Sequence, residues 1–471
     1  MIKKPIYFLT GVALAGLLAE LVFCHWQLGL AVSFCLIFLW LSWLFPFAVF
    51  CGLAAYLPWQ LALNLAPDFD ILSGRLLVLL FFSSWLLKII LKKEKLDLVG
   101  FPAAGALGIF FVLAAGSLIG ADQPFWGLRK LLVFVSVWPL FFLTRYFINS
   151  RARRDKLILT ISVSSGAAAL AALSQFGAQF LWGLEKTRIF LGEITAPYFF
   201  GRTAAESVLA NPSWLVEIGG RVWLRALGVF PDPHTLAFFL GLSFCLVFAA
   251  AWERKKRAGW LLLPSGLLFS ALLLTFSRGG YLGLGAALFF FGTAVWPKIK
   301  ISGRLVFASG AVFLLAIIFF WGTPVLGRFQ SIFDFGEGSN LGRLQIWRQS
   351  LEVAKQNPLL GVGLGNYPAA LNFNENYRSA VSSHNAYLDI LAETGVLGLS
   401  AWLFFWLVVL RASWEKVKKA KEPAFFYAGI GSAVIYFLTH SFFETAIFNP
   451  TVAAWLAMIS GLAVSRIKGE D

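Results

Sequence analysis

Charge is what this sequence holds least of. Only 13% of its 471 residues are Asp, Glu, Lys or Arg, while 59% are hydrophobic. That balance excludes an intrinsically disordered chain and an ordinary soluble domain. Cysteine is scarce too. Cys24, Cys35, Cys51 and Cys245 all lie in apolar segments without metal-ligand spacing, and read as small buried hydrophobes. Acids are nearly missing from the apolar segments of the first half, where Glu20 stands almost alone. With no inverted repeat evident, this argues against a transporter or lipid flippase.

What is abundant is long apolar runs, carrying 49 Phe and 19 Trp. Runs of about 18 or more nearly uncharged residues recur, each able to cross a hydrocarbon core of ~30 Å. Spanning segments must satisfy their own backbone, so the expected fold class is all-α, a polytopic transmembrane helical bundle. Spans are expected near 6–23, 27–44, 47–64, 71–91, 99–120, 128–148, 156–181, 232–251, 259–276, 279–296, 304–321, 385–410, 424–441 and 448–465. The uncharged hairpin at Phe45-Pro46-Phe47 makes the second and third of these the least marked. Removing that pair leaves twelve, so 12–14 spans are expected. Met1-Ile2-Lys3-Lys4 before an apolar run resembles a signal peptide, but no cleavage site follows and it reads as a retained first helix.

Basic residues set the orientation. Clusters at Lys3-Lys4, Lys88 to Lys95, Arg145 to Lys156, Arg254 to Arg257, Lys298 to Arg304, Arg411 to Lys421 and Arg466 with Lys468 hold 25 of the 39 Lys and Arg residues. With fourteen spans every cluster falls on one side, which must be cytoplasmic together with both termini. The formal charge of +15 is then a topology signal, and no nucleic-acid partner is expected.

Two long connections, about 182–231 and 322–384, face outward. The second contains an amphipathic pattern in which Leu344, Trp347, Leu351 and Ala354 share a face and Arg348, Glu352 and Lys355 lie opposite. Such a helix lies on the membrane surface or roofs a cavity. Asn357-Pro358 ends it, and glycines 361, 363 and 365 form a tight turn. No strand precedes that Gly-x-Gly-x-Gly, so it is weak as a nucleotide signal. An outward Asp68-Phe69-Asp70 just before a span hints at a metal-dependent glycosyltransferase, but Asp70 as a cap for a helix starting at Ile71 is the favoured account.

The most informative stretch runs from Ser382-Ser383-His384-Asn385 to Glu393-Thr394-Gly395. It places a histidine at a helix N-terminus, behind two serines that can cap it. The helix dipole disfavours a second proton on the ring, so His384 is expected to stay neutral and available as a base beside an anion-attracting helix end. Asp389 and Glu393 share a face at i, i+4, and five residues carry Asp389 off the His384 face, so Glu393 ranks above it as a support. His25 and His440, at outer helix ends, read as satisfied interfacial residues. Arg225, Arg278, Arg129 and Lys130 also fall on the outer rim, and guanidinium forks suit a diphosphate.

Four blocks in this order resemble the O-antigen ligase and polymerase (Wzy-C) superfamily of membrane glycosyltransferases. They are Arg225 to Ala237 with Pro231-Asp232-Pro233-His234; Thr275-Phe276-Ser277-Arg278-Gly279-Gly280; Gly342-Arg343-Leu344 with Trp347 and the Asn357 to Gly363 turn; and His384-Asn385 through Glu393-Thr394-Gly395. The resemblance covers about 225–400. The arginine–leucine pair of the family's ligases matches Arg278 and Leu282, a second essential arginine matches Arg343, and the catalytic histidine matches His384. Pro-Asp-Pro-His at 231–234 departs from the family's usual pattern and leaves the part of Asp232 and His234 open.

The resemblance implies transfer of a glycan from a polyprenyl (undecaprenyl) diphosphate donor to a hydroxyl of a lipid-linked or cell-surface acceptor, as in lipopolysaccharide and other cell-envelope polysaccharide biosynthesis. Arg278 and Arg343 would bind the diphosphate, His384 would take the acceptor proton, and Arg225, His234, Asn385 and Glu393 would support them. The expected reaction is inverting, uses no metal or cofactor, and proceeds at the outer face of the cytoplasmic (inner) membrane among membrane lipids. A repeat-unit polymerase shares the donor chemistry, and a polysaccharide transporter is the rival class. Three parts are expected: 1–224 with the first helices and outer loop, a 225–410 core including the 322–384 loop, and a 411–471 hairpin.

Overall fold

The computed structural model describes residues 26–66, 69–93, 102–202, 205, 212–253, 259–298, 324–331, 338–371, 381–420 and 424–468. The first half supplies helices α1 (Trp26–Leu44), α2 (Pro46–Tyr56), α3 (Ser73–Ile90), α4 (Pro102–Gly116), α5 (Pro124–Val137), α6 (Pro139–Phe147) and α7 (Arg151–Trp182). The second half supplies α8 (Pro233–Glu253), α9 (Leu262–Leu274), α10 (Arg278–Val295), α11 (Gly338–Gln356), α12 (Ala386–Lys419), α13 (Phe425–His440) and α14 (Pro450–Val464). Two short antiparallel hairpins are the sheet structure described: β1 (Ala62–Ala66) with β2 (Phe69–Leu72), and β3 (Leu215–Ile218) with β4 (Arg221–Leu224).

This is an all-α polytopic membrane protein. Six described helical segments are long and apolar enough to cross a bilayer, and five shorter apolar helices accompany them. The bundle is layered around α8, which is 89% buried over its most apolar window, against 28% for the peripheral α3. Phe34, Ile37, Trp40, Ile90 and Phe289 remain exposed, and apolar surface of that kind on outer helices suits a lipid solvent. Aromatic packing fills the inside: Trp402 meets Phe110, Trp138 and Trp406 at centroid distances of 4.9, 6.3 and 5.4 Å.

Several expected boundaries move. The span expected over 47–64 stops earlier, because the helical turn ends at Trp59 and the chain enters the β1–β2 hairpin. Asp70 lies in β2 and does not cap a helix; α3 starts at Ser73 with Leu72 before it, and Asp68 lies outside the described residues. The 128–148 span is two helices, since Pro139 cannot donate into the ladder of the helix before it. The 6–23 and 304–321 spans, with Lys3-Lys4, Lys95, Arg254 to Arg257, Lys300, Arg304 and Lys421, lie outside the described residues.

The remaining basic clusters gather at one end of the bundle. Arg154 pairs with Glu253 at 2.9 Å, Lys416 Nζ donates to Ser465 O at 2.5 Å, and Lys468 N donates to Asn149 O at 3.1 Å. Glu253 closes α8, whose other end carries His234. At ~1.5 Å per residue a helix of 21 residues is about as long as a hydrocarbon core is thick. The basic end and the histidine end are therefore a membrane's thickness apart.

Candidate active site

The site forms where the connections before α8, α10 and α12 and after α13 meet. Two glutamines of α7 hold the first connection: Gln179 Oε1 accepts from Leu224 N at 3.0 Å, and Gln175 Oε1 accepts from Leu227 N at 2.9 Å. Between them Arg225 is pinned, Nε donating to Thr275 O at 2.7 Å and Nη1 to Ser213 O at 2.9 Å. Nη1 also lies 3.3 Å from His234 Nε2. Burial, with Arg328 nearby, brings this guanidinium down to about 9, so it stays charged at neutral pH. Its Nη2 is buried with no hydrogen-bond partner among the described residues.

Asp232 caps the start of α8, accepting from His234 N and Thr235 N at 2.9 Å each. Its own pKa is raised by burial, against the hydrogen bonds from Thr235. Ser277 caps α10 through Gly280 N, and its Oγ sits between two histidines, 3.2 Å from His234 Nδ1 and 3.1 Å from His440 Nε2. His440 is wholly buried and stacked on Phe238 at 3.7 Å between ring centroids. It is an interior member of this network, not the interfacial residue expected, because α13 packs tightly against α8 and α10.

Arg278 opens α10 and is only 5% exposed, with Nη1 donating to Ser331 O at 3.2 Å. Arg343 lies on α11, and its charge acts on His234, His384, His440 and Glu444 together. The buried face of α11 is Ser350, Val353 and Ala354, while Leu341, Leu344 and Leu351 point outward. The expected face is thus rotated: Trp347 anchors the helix by donating Nε1 to Ser383 O at 3.0 Å, and Leu344 and Leu351 follow to the outside.

His384 precedes α12, but neither serine before it is the cap. Asn385 is, with Oδ1 accepting from Tyr387 N at 3.0 Å and Leu388 N at 3.2 Å. Ser383 Oγ instead donates to Asn385 O at 2.7 Å. His384 itself takes φ +51, a left-handed conformation uncommon for a side-chain-bearing residue; Phe276, beside Ser277, has φ +50. Two strained positions therefore border one site.

The decisive partner of His384 is Glu444, from the α13–α14 connection. Its Oε1 lies 3.0 Å from His384 Nδ1, and its Oε2 lies 3.8 Å from His234 Nε2. Glu444's own side chain is 13% exposed and that of His384 41%, so the carboxylate is inside and the imidazole faces out. Glu444 raises the pKa of His384 above the ordinary imidazole value by hydrogen bond and charge, against burial and Arg343. The lowering expected from the helix dipole is thus corrected in direction: a buried carboxylate at contact distance raises the pKa instead. Burial opposes ionisation of Glu444, but His234, His384 and Arg343 outweigh burial and hold it well below the usual carboxylate range.

Glu393 is not brought to His384. It is buried on α12 and pairs with Lys130 of α5 at 2.6 Å. Asp389, ranked below it from sequence, works closer in: Oδ1 accepts from Ser383 N at 2.7 Å and Oδ2 from Thr445 Oγ1 at 2.5 Å. It ties together the residues flanking both members of the His384–Glu444 pair. Sequence reasoning missed Glu444 because a single glutamate in a short loop carries no spacing signal.

Residues 263–403 match the model of a family described as O-antigen ligase. Through this segment the chain is similar to the O-antigen ligase family. The match includes Arg278, Arg343, His384 and Glu393, while Arg225, His234 and Glu444 lie outside it. The chain is also similar to the exopolysaccharide production protein ExoQ of Rhizobium meliloti (strain 1021), 33% identical over 95 residues, which is 18% of this chain and 21% of that protein. The chain thus aligns with about a fifth of that relative's length. Both similarities are to names from polysaccharide biosynthesis, O-antigen ligase for the family and exopolysaccharide production for the relative.

Proposed function

We propose that the protein is an inverting, metal-independent glycosyltransferase moving a glycan from a polyprenyl-diphosphate donor to a hydroxyl on a lipid-linked or cell-surface acceptor. The observation that carries this reading is the His384 Nδ1–Glu444 pair at 3.0 Å, within the field of Arg343. With Nδ1–H donated to the carboxylate, Nε2 is left as the proton acceptor, an arrangement that orients a general base and stabilises the imidazolium it becomes.

In the transfer, Nε2 takes the acceptor hydroxyl's proton as that oxygen attacks the anomeric carbon. The bond to the diphosphate breaks, and the leaving group departs with the electron pair. Arg278 and Arg343 hold the diphosphate and meet its growing charge. Arg225, with its spare Nη2, extends that cationic side, while His234 beside it is held neutral by burial and by the Arg225 charge. Asn385 supports by fixing the start of α12 just after the base. Displacement from the face opposite the leaving group inverts the anomeric centre.

The histidine end of α8 is assigned to the outer face of the cytoplasmic membrane, because the basic residues gather at the other end. The test is transfer by purified protein supplied with an undecaprenyl-diphosphate glycan and candidate acceptors, in buffer with and without excess EDTA. Product with an inverted linkage in both buffers is expected. Loss of turnover in EDTA with rescue by Mg²⁺ or Mn²⁺ would remove the metal-independent mechanism. An acceptor that is a second polyprenyl-linked repeat would make the protein a polymerase with the same donor chemistry.

A further inference from the structure

Beside the His384–Glu444 pair lies a cavity of about 330 Å³ whose lining includes Trp126, Lys130, Ser382, Asp389, Glu393 and Thr445. That volume is at the lower end of the ~300–1,000 Å³ typical of small-molecule pockets, so it suits a single ring better than an extended chain. The pocket adjoins the pair through sequence neighbours on both sides. Ser382 Oγ accepts from His384 N at 3.3 Å, and Thr445 N donates to Glu444 Oε1 at 3.2 Å.

Its chemistry differs from that of the arginine side. Arg129 and Lys130 are matched by Asp389 and Glu393, so the lining is balanced rather than cationic. Lys130 is held by Glu393 at 2.6 Å and sits 3.6 Å over the Phe448 ring. A diphosphate would meet two carboxylates there, and an alkyl chain would set the Lys130–Glu393 pair and Asp389 against hydrocarbon. A polyhydroxyl ring suits all of them: its hydroxyls donate to carboxylates and accept from the cations, while its C–H face covers Trp126.

We propose that this cavity is the subsite for the sugar ring of the acceptor, placing one of its hydroxyls toward His384. The assignment rests on the glycosyltransferase reading above. It divides the site in two, with Glu444 facing the arginine and histidine network and the next residue, Thr445, lining the acceptor cavity.

The test uses the full chain in nanodiscs with a panel of diazirine-bearing monosaccharides (glucose, galactose, mannose and N-acetylglucosamine derivatives), photolysed and mapped by peptide mass spectrometry. Expected is labelling of peptides containing 124–133 or 381–393, competed by the same unlabelled sugar. Labelling should fall about fivefold or more in Trp126→Ala and persist in Trp126→Phe, which keeps an aromatic face. Undecaprenyl diphosphate binding should be unchanged in Trp126→Ala, which shows that variant to be folded. Absence of cavity labelling across the panel, or labelling indifferent to Trp126→Ala, overturns the subsite; if transfer persists then, the enzyme reading stands without it. Cavity labelling in a protein that transfers from no polyprenyl-diphosphate glycan leaves a sugar site and removes the enzyme reading.

Discussion

His384 and Glu444 are 60 positions apart in the chain and 3.0 Å apart between Nδ1 and Oε1. The pair brings the start of α12 against the α13–α14 connection, and Asp389 secures both sides through Ser383 N and Thr445 Oγ1. An outward-facing imidazole backed by a buried carboxylate is thus built from two loops and one clamp.

Glu444→Gln keeps the shape and removes the charge. A base works only when unprotonated, and Glu444 raises the His384 pKa above its ordinary value. Activity of the natural enzyme should therefore be low below that raised value and climb as pH rises through it. In Glu444→Gln burial and Arg343, which lower the pKa, remain ahead of Asp389, which raises it. The acid limb of the kcat profile should move to lower pH, while the plateau falls by at least ~10-fold, part of the ~10²–10⁴ that general base catalysis supplies. An unchanged acid limb would mean that the profile does not report His384.

His384 and the arginines should fail differently. His384→Ala should leave donor binding largely intact while kcat drops by ~10²-fold or more, since proton removal is its assigned role. Arg343→Lys keeps the charge but loses the planar fork, so single-turnover transfer should fall well beyond what charge predicts. Arg278→Ala should weaken donor binding and turnover together, because diphosphate charge exists in the ground state and grows on departure. Arg278 is almost fully buried, so its variant needs a thermal melt alongside the kinetics. A folded His384→Ala protein with near-normal turnover would withdraw the base assignment.

Orientation is open to direct chemistry. Leu359, in the loop after α11, is 62% exposed at the histidine end of the bundle. In a background without Cys24, Cys35, Cys51 and Cys245, Leu359→Cys should react with an impermeant thiol reagent in intact cells or spheroplasts. Labelling only after the cytoplasmic face is opened would reverse the proposed topology and withdraw the proposed extracytoplasmic placement of the site.

Much of the fold was legible because hydropathy is a local signal that twenty residues suffice to carry. The helices from α3 onward appear near their expected positions, and failures fall where a short local signal competes, as at Pro139 and the β1–β2 hairpin. The site was legible only in part. His384, Arg278 and Arg343 stand in motifs with order and spacing, whereas Glu444 has none. Its importance comes from a long-range contact. The serines before His384 misled for a related reason: several capping side chains stood in a row, and backbone geometry at φ +51 selected Asn385. Glu393 fell to a competitor from distant sequence, since Lys130 lies 263 positions away.

Gly395 offers the sharpest test of how the loop after α11 holds the site. α12 is interrupted at this residue, with φ 67 and ψ −172, a conformation that favours glycine. Into the interruption fits the Asn357–Gly365 turn. Val362 N donates to Ala392 O at 2.9 Å, Gly363 N to Glu393 O at 3.0 Å, and Val396 N to Pro358 O at 2.8 Å. A methyl group on Gly395 would strike the backbone of Leu359, and one on Gly361, at φ +69, the backbone of Glu393 and Thr394. Gly395→Ala therefore meets strain of ~1–3 kcal/mol from the backbone conformation, with the clash in addition. It should lower the melting temperature and expose the 357–365 turn to protease, and it should reduce turnover, because α11 carries Arg343 into the site from that turn. Gly342→Ala, in α11 with open space around its Cα, should do neither. A Gly395→Ala protein with normal melting and an intact turn would show that the turn does not depend on this break in α12.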